Sequence, residues 1–317
     1  MNEKRMFFTD TLYDYFMIDP RLRMLQLVAH FGTVTAAAGA LNYTPSAVSH
    51  QLRALSAELG IVLLESEGRN VRLTGAARTL LRHAELLFAQ AERAYADLED
   101  GTQNGKFTVC GFATSANYLL PPAAAGVRDA FPGIDVRVIE AQPSRCINLL
   151  LTGDADLALL TGTADLPMIA DGRFDQRPLL DDPMDLVVRK DHWLASRASV
   201  SLADTAGEQW ILGQPEGAYY SLTVRACQAA GFTPNAAHFA DEWDTGMALV
   251  AYGFGVTLVP RMARIHKDWN VKRIELTGKA QPSRPIVSVT RAGSRNRPMI
   301  AKAMELIEQM AASMLQR

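Results

Sequence analysis

Residues 33–65 read TVTAAAGALNYTPSAVSHQLRALSAELGIVLLE, and this stretch decides the fold. Thr33 can cap a helix over 34–41 that presents Val34, Ala37, Ala38 and Leu41. Asn42-Tyr43 makes a short turn. Thr44 and Pro45 cap and open the next helix, on which Val48, Leu52 and Leu55 face inward, and Gly60 ends it. Two short helices joined by a turn of a few residues have helix-turn-helix geometry. Ala37 and Ala38 allow close helix approach. Ser46, Ser49, His50 and Arg53 point away from the apolar stripe. Residues 45–56 span about 18 Å at helical rise, enough to lie in a major groove. Small donors near the helix start suit base edges, and Arg53 suits a phosphate or a guanine. An ordinary three-helix cluster would show the same periodicity.

Upstream, Asp19 and Pro20 open a helix carrying Leu22, Leu25, Val28 and Phe31, which Gly32 stops. Residues 1–16 read as an extension ahead of the folded domain, with no secretory apolar core. Downstream, residues 65–74 read as a hairpin turning near Gly68-Arg69-Asn70. It would form a wing carrying Arg69 and Arg72, suited to backbone or minor-groove contact. Residues 17–75 hold five arginines against four carboxylates, and the 317-residue chain carries a net charge of −2. No global field draws it to nucleic acid or membrane, so DNA binding must be a local property.

Residues 76–100 read as one long helix. Ala77, Leu80, Ala84, Leu87, Ala91, Ala94 and Leu98 alternate three and four apart, which is a three-heptad seam for a second copy of the chain. A helix packed on its own domain would also carry a stripe. Two copies of Arg53, Arg69 and Arg72 would neutralise six phosphates, giving a log–log salt slope of about −5. A polar linker at 101–105 follows. From Lys106 on, short apolar strands alternate with helices. Strands at 106–112, 136–139 and 157–160 separated by helices at 118–130 and 144–151 make a βαβαβ unit with parallel pairing. A second unit begins near residue 165, with strands at 184–188, 210–212 and 256–259 and helices at 221–230 and 244–251. A strand at 286–289 and a helix at 298–314 can return to the first unit.

The 33–65 stretch followed by GRNVRLTGAA (68–77) resembles the DNA-binding domain of LysR-type transcriptional regulators. GFATSANYLLPP, LLLTGDADLALL, PLLDDPMDLVV, SLADTAGEQWILG, CQAAGF and MALVAYGFGVTLVP resemble that family's effector domain. The resemblance implies an α/β chain with an N-terminal winged helix-turn-helix, a long linker helix and a two-lobed Rossmann-like effector domain, similar to periplasmic solute-binding proteins. The corresponding bounds are 17–75, 76–104 and 105–317, with lobe I at 105–164 and 266–317 and lobe II at 165–265. The chain would cross between lobes near 161–165 and 261–266. DNA contacts fall on Thr35, Thr44, Pro45, Ser46, Ser49, His50 and Arg53, with Arg69 and Arg72 on the wing. His50 stands where the family often has Arg, and Ser66 where a basic residue commonly follows the Glu; both weaken the electrostatic attraction. The implied partners are double-stranded promoter or operator DNA, a small-molecule effector, further copies of the chain (homodimer, homotetramer) and RNA polymerase.

Effector contacts are expected from Thr114, Ser115, Ser144 and Thr161 in the first lobe region and from Gly217, Tyr219, Trp243 and Thr245 in the second. Several lie between a strand end and a helix start, where hydroxyls and free N–H groups hold anions. A small polar or anionic organic ligand follows, although plain N-capping explains each hydroxyl alone equally well. Nothing supplies catalytic chemistry: there is no HExxH, no G-x-S-x-G and no P-loop, and Gly253-Phe254-Gly255 is a bare G-x-G. No cofactor, metal or enzymatic activity is expected. No stretch is long enough to span a bilayer. Three distant cysteines suit a reducing cytoplasm. Two other readings stay open: a solute-binding sensor, opposed by residues 17–75, and a thiol redox-sensing regulator built on Cys227, which a helical apolar pattern marks instead as packed.

Overall fold

The computed structural model describes residues 18–68, 70–99, 105–161, 171–278 and 281–315. The expectations for residues 1–16, for Arg69, for the linker at 101–104 and for the crossing at 162–165 lie outside them.

Each helix of the head begins on a capping side chain. The Asp19 carboxylate accepts from the Arg21 backbone N–H at 2.9 Å and opens α1 (Pro20–Phe31). Thr33 Oγ1 accepts from Ala36 N–H at 3.1 Å and opens α2 (Val34–Leu41). Thr44 Oγ1 accepts from Ala47 N–H at 3.2 Å and opens α3 (Pro45–Leu59). Leu25, Leu27 and Val28 of α1, Ala37 and Ala38 of α2, and Val48, Leu52 and Leu55 of α3 form the buried core. Burying each larger aliphatic side chain contributes about 1.5–3 kcal/mol. Thr44→Ala removes one cap, worth about 1 kcal/mol. Hydrogen exchange of the first-turn amides of α3 should then accelerate about fivefold, with the far end of α1 unaffected; unchanged exchange would deny Thr44 this role.

The hairpin follows as expected. Strand β1 (Leu64–Glu67) pairs antiparallel with β2 (Asn70–Leu73), Glu67 opposite Asn70. Thr74 Oγ1 caps α4 (Gly75–Leu98), accepting from Ala77 N–H at 3.0 Å, and donates to the Val62 carbonyl at 2.6 Å. One hydroxyl thus fixes the angle between wing and linker helix.

The whole chain divides into two compact units, and the first includes the head and α4. In the first, β3 (Gly105–Gly111) pairs parallel with β4 (Ile134–Glu140) and β5 (Leu157–Thr161). The expected helix over 118–130 is α6 (Leu120–Ala130), and an unexpected short helix, α5 (Ala113–Tyr118), precedes it. Pro121 and Pro122 lack the N–H a continuous helix would need and occupy the first turn of α6 instead. Helix α7 (Pro143–Thr152) joins β4 to β5.

In the second unit the long strand β6 (Phe174–Arg189) pairs antiparallel with β10 (Thr257–Pro260) and β11 (Val271–Thr277). Strand β11 also pairs parallel with β7 (Ser199–Ser201). Strands β8 (Gln209–Leu212) and β9 (Asn235–Phe239) form a parallel pair flanked by α8 (Ala218–Ala229) and α9 (Trp243–Ala251), over the fully buried Trp210. Strands β7, β9 and β11 were not expected. Because Val271–Ile274 pair with Leu186–Arg189, the chain stays in the second unit past 261–266. It returns at Val287–Ser288, inside β12 (Ser283–Arg291), and ends in α10 (Pro298–Leu315).

Buried ion pairs hold α4 to the rest of the first unit. Arg291 Nε donates to Glu92 at 2.6 Å and Arg291 Nη2 lies 3.3 Å from Asp156. Arg297 Nε donates to Glu99 at 2.8 Å, and its Nη1 lies 3.4 Å from the same Asp156 carboxylate. The Arg297 guanidinium also stacks over the Tyr95 ring at 5.0 Å. Beside them the backbone of Gly293 sits at φ +92° against α4, where a methyl group would strike the Ala89 carbonyl oxygen. That position requires glycine for both reasons. Helix α1 also touches α7 within the same unit, through Arg23 to the Leu151 carbonyl and His30 Nε2 to Asn148 Oδ1 at 2.7 Å.

Candidate nucleic-acid interface

The apolar stripe of α3 turns Val48, Leu52 and Leu55 into the head, which leaves the opposite side outside. Thr44, Pro45, Ser46, His50 and Arg53 are exposed and Ser49 is half-buried; Thr35 is exposed on α2. Thr44 Oγ1 and Ser46 Oγ lie 3.1 Å apart, so the cap also orients the first serine. Arg53 Nε donates to the Ser49 carbonyl at 3.2 Å, which steadies the stem and leaves its Nη groups for an outside acceptor. Tyr43 and Gln51, which the spacing argument passed over, are exposed as well. Gln51 is a base-reading residue type, and its position between two expected contacts was the available signal.

The other arginines of the head are occupied. Arg21 is clamped by Asp19 and Glu58, at 2.6 Å each. Arg23 is buried. Arg72 pairs across the wing with Glu65 at 2.8 Å, as their opposed register dictates. Arg53 is therefore the exposed arginine of the described head without a carboxylate partner. With Arg72 held by Glu65, a dimer neutralises about four phosphates rather than six, and the salt slope falls to about −4. Glu65→Gln should release Arg72, raise affinity for non-specific duplex and steepen the slope to about −5. A slope that does not change in a salt titration would show that Arg72 meets no phosphate.

The expected seven-residue seam on α4 is divided. Ala77, Ala84 and Ala91 are buried within the chain, and Ala84 and Ala91 pack with Phe88 against Ile18, Leu22 and Tyr95. Leu87 and Leu98 are 53% and 68% exposed, with Leu80 and Ala94 half-buried. One row of the three-four repeat thus serves the chain's own head. The other, joined by the exposed Leu86, faces outward.

The expected effector residues fall into two groups. In the first unit Thr114 and Ser115 open α5 and are buried. Ser115 Oγ donates inward to the Phe112 carbonyl at 2.7 Å, whereas Thr114 Oγ1 is buried without a hydrogen-bond partner. Ser144 is exposed in the first turn of α7. Thr161, at the end of β5 where the chain passes into the second unit, is half-buried. In the second unit Gly217 precedes α8, and Tyr219 is committed to the interior. Its hydroxyl donates to the Leu258 carbonyl at 2.7 Å, Thr257 Oγ1 lies 3.0 Å away, and burial pushes its pKa up to about 12. Its ring meets Trp243 edge-on at 4.6 Å, and Thr245 is exposed. Thr114 and Thr245 are thus more available to a ligand than Ser115 or Tyr219, whose hydroxyls serve the fold.

Cys227 is fully buried and its thiol is pushed up to about 12 by burial, which makes it a poor nucleophile. Cys110 and Cys146, far apart in sequence, meet in the first unit. Their mutual hydrogen bond holds Cys146 below and Cys110 above the ordinary thiol range. Among the described residues no group of three or more His, Cys, Asp or Glu side chains could hold a metal, and no helix is long and apolar enough to cross a membrane.

Residues 20–78 match the family model for bacterial regulatory helix-turn-helix proteins of the lysR family, and residues 100–312 match the LysR substrate binding domain. The HTH-type transcriptional regulator AlsR of Bacillus subtilis is 31% identical over 240 residues, covering 74% of this chain and 76% of that protein. The DNA-binding transcriptional dual regulator OxyR of Escherichia coli is 29% identical over 301 residues, covering 92% and 94%. Among solved structures, a full-length OxyR from Pseudomonas aeruginosa shares the fold with a TM-score of 0.63 at 20% identity, covering 90% of this chain and 93% of that one. Full-length CbnR complexed with its target DNA shares it at 0.53 and 21% identity, covering 92% and 98%.

Proposed function

Because the chain belongs to the LysR family of helix-turn-helix transcriptional regulators, we propose that it reads a specific operator through the outward side of α3. Arg53 is the principal cation, Ser46, Ser49 and His50 touch base edges, and Thr35, Thr44 and Pro45 position the helix on the backbone. Arg69 follows the backbone from the wing, and Arg72 joins it when the Glu65 pair opens. The single observation that carries this reading is the exposure of Arg53 with no carboxylate partner in the described head.

Residues 17–75 form the DNA-binding domain, 76–104 the linker and 105–317 the effector domain. The outward row Leu80, Leu87, Ala94 and Leu98 takes a second copy, because exposed leucines repeating along one helix bury best against their like. Dimers, and tetramers built from them, place two recognition helices on one duplex. The effector domain takes a small polar or anionic organic molecule, with Thr114 and Thr245 as the leading contacts and Ser144, Thr161, Gly217 and Trp243 as further ones. Ser115 and Tyr219 support the site from within. The ligand acts by its differential affinity for two arrangements of the dimer. The protein works in the cytoplasm as a non-enzymatic regulator, with RNA polymerase as its downstream partner.

Selection of bound duplexes from a random library tests the reading. The expected product is a dyad-symmetric sequence whose half-sites are spaced by whole helical turns. Recovery of no preferred sequence would refute it.

A further inference from the structure

Between α1, the first three turns of α4 and the segment at Asp171–Arg173 lies a cleft of about 820 Å³. All of its walls belong to the first compact unit. Neither the recognition helix nor the expected effector residues line it. Its size is in the range of small-molecule sites, and its walls carry five charged side chains among apolar ones.

Arg78 and Arg82 stand one turn apart on α4 and both line the cleft. Four residues of helix separate them by about 6 Å along the axis. Neither has a carboxylate partner among the described residues. Arg78 Nη1 donates to the Leu73 carbonyl at 2.7 Å and Arg82 Nη2 to Thr79 Oγ1 at 3.3 Å. These bonds orient the guanidinium groups and leave most of their five donors unused. Like charges at this spacing repel each other on a bare helix.

Arg173 lines the opposite wall. Its Nε and Nη2 are taken by Asp171 at 2.9 and 2.6 Å, so the pair is neutral and Nη1 remains. His30 is held to Asn148, and burial pushes its imidazole below the ordinary range, toward the neutral form. Glu85 is the remaining acid, and burial raises its carboxyl above the ordinary range. Even with Glu85 ionised, the lining keeps one net positive charge.

We propose that this cleft is a second ligand site, for a compact polyanion whose two or more acidic groups engage Arg78 and Arg82 together, with Arg173 Nη1 opposite. Such a ligand would touch the head, the linker helix and the Asp171–Arg173 segment at once, and would tie the angle of the head to metabolite concentration. Carboxylates and phosphates share this chemistry, so two probes separate the sources.

Titration calorimetry on the full-length protein at constant ionic strength, with citrate and with inorganic pyrophosphate, tests the proposal. Saturable binding of at least one probe is expected, weakened about tenfold by Arg78→Gln or Arg82→Gln alone and more by both. Thr114→Val, in the expected effector crevice, should leave it unchanged. The preferred probe tells carboxylate from phosphate. No saturable binding, binding that survives the double variant, or binding lost in Thr114→Val would overturn the proposal. So would a double variant whose only defect is weaker duplex binding with a shallower salt slope, since the arginines would then serve DNA. Operator binding by the unmodified protein is read in the same preparation, so failure of this site and failure of the regulator reading are told apart.

Discussion

Arg53→Ala is expected to weaken operator binding by about 1–3 kcal/mol per copy, or about 2–6 kcal/mol for a dimer with two half-sites. The expectation follows from what surrounds the other cations. Arg21 is spent on Asp19 and Glu58, Arg23 is buried, and Arg72 is held by Glu65. Removing Arg53 therefore leaves no exposed, unopposed arginine in the described head to replace it. Arg53→Lys refines the result. Lysine keeps a phosphate contact but loses the planar fork that binds guanine bidentately. A lysine variant close to wild type places Arg53 on the backbone, and one as weak as alanine places it on a base. Fluorescence anisotropy at a fixed salt concentration measures both. Affinity within twofold of wild type for Arg53→Ala would remove Arg53 from the interface.

Arg291→Ala should lower the stability of the first unit by about 3–5 kcal/mol, because it strands the Glu92 carboxylate in the interior, while Asp156 keeps Arg297 and the Thr108 N–H. Arg291, Glu92, Asp156 and Arg297 are all buried, so water cannot compensate for the lost partner. The apparent thermal midpoint should fall by about 10 °C. Glu92→Leu combined with Arg291→Met should recover much of that loss, since removing both charges of a pair costs far less than removing one. This outcome separates an electrostatic weld from simple loss of packing. A midpoint for Arg291→Ala within 2 °C of wild type would mean that the Glu92 carboxylate finds another partner. The same variant should loosen α4 from β12 and α10, and operator binding should then respond less to whatever the effector domain binds.

The local signals were readable because their physics is local. Asp19, Thr33, Thr44 and Thr74 each bond an N–H two or three residues on, so a cap announces itself in a few letters. The hairpin was placed by its turn, yet its register also pairs Glu65 with Arg72, which charge counting alone overlooked. Strand β11 was missed because Lys272, Arg273 and Glu275 interrupt its apolar alternation. Lys272 is exposed and donates to the Ala195 carbonyl, and the half-buried Arg273 pairs with the Asp185 carboxylate. A three-four repeat does not say which neighbour covers which row, so the burial of Ala77, Ala84 and Ala91 within the chain was not legible in the linker helix. The Arg291–Glu92 pair joins residues 199 positions apart, and Cys110 meets Cys146 only through the packing of α7 against β3. Contacts of that kind have no period to detect.

The most direct measurement uses His50→Cys carrying an iron chelate that cleaves DNA. The chain's own cysteines are buried, so the label goes to position 50 alone. With α3 in the major groove, strand cuts should cluster at two positions related by the operator dyad. Cuts scattered along the duplex, or none above the unlabelled background, would contradict the placement of this helix on DNA.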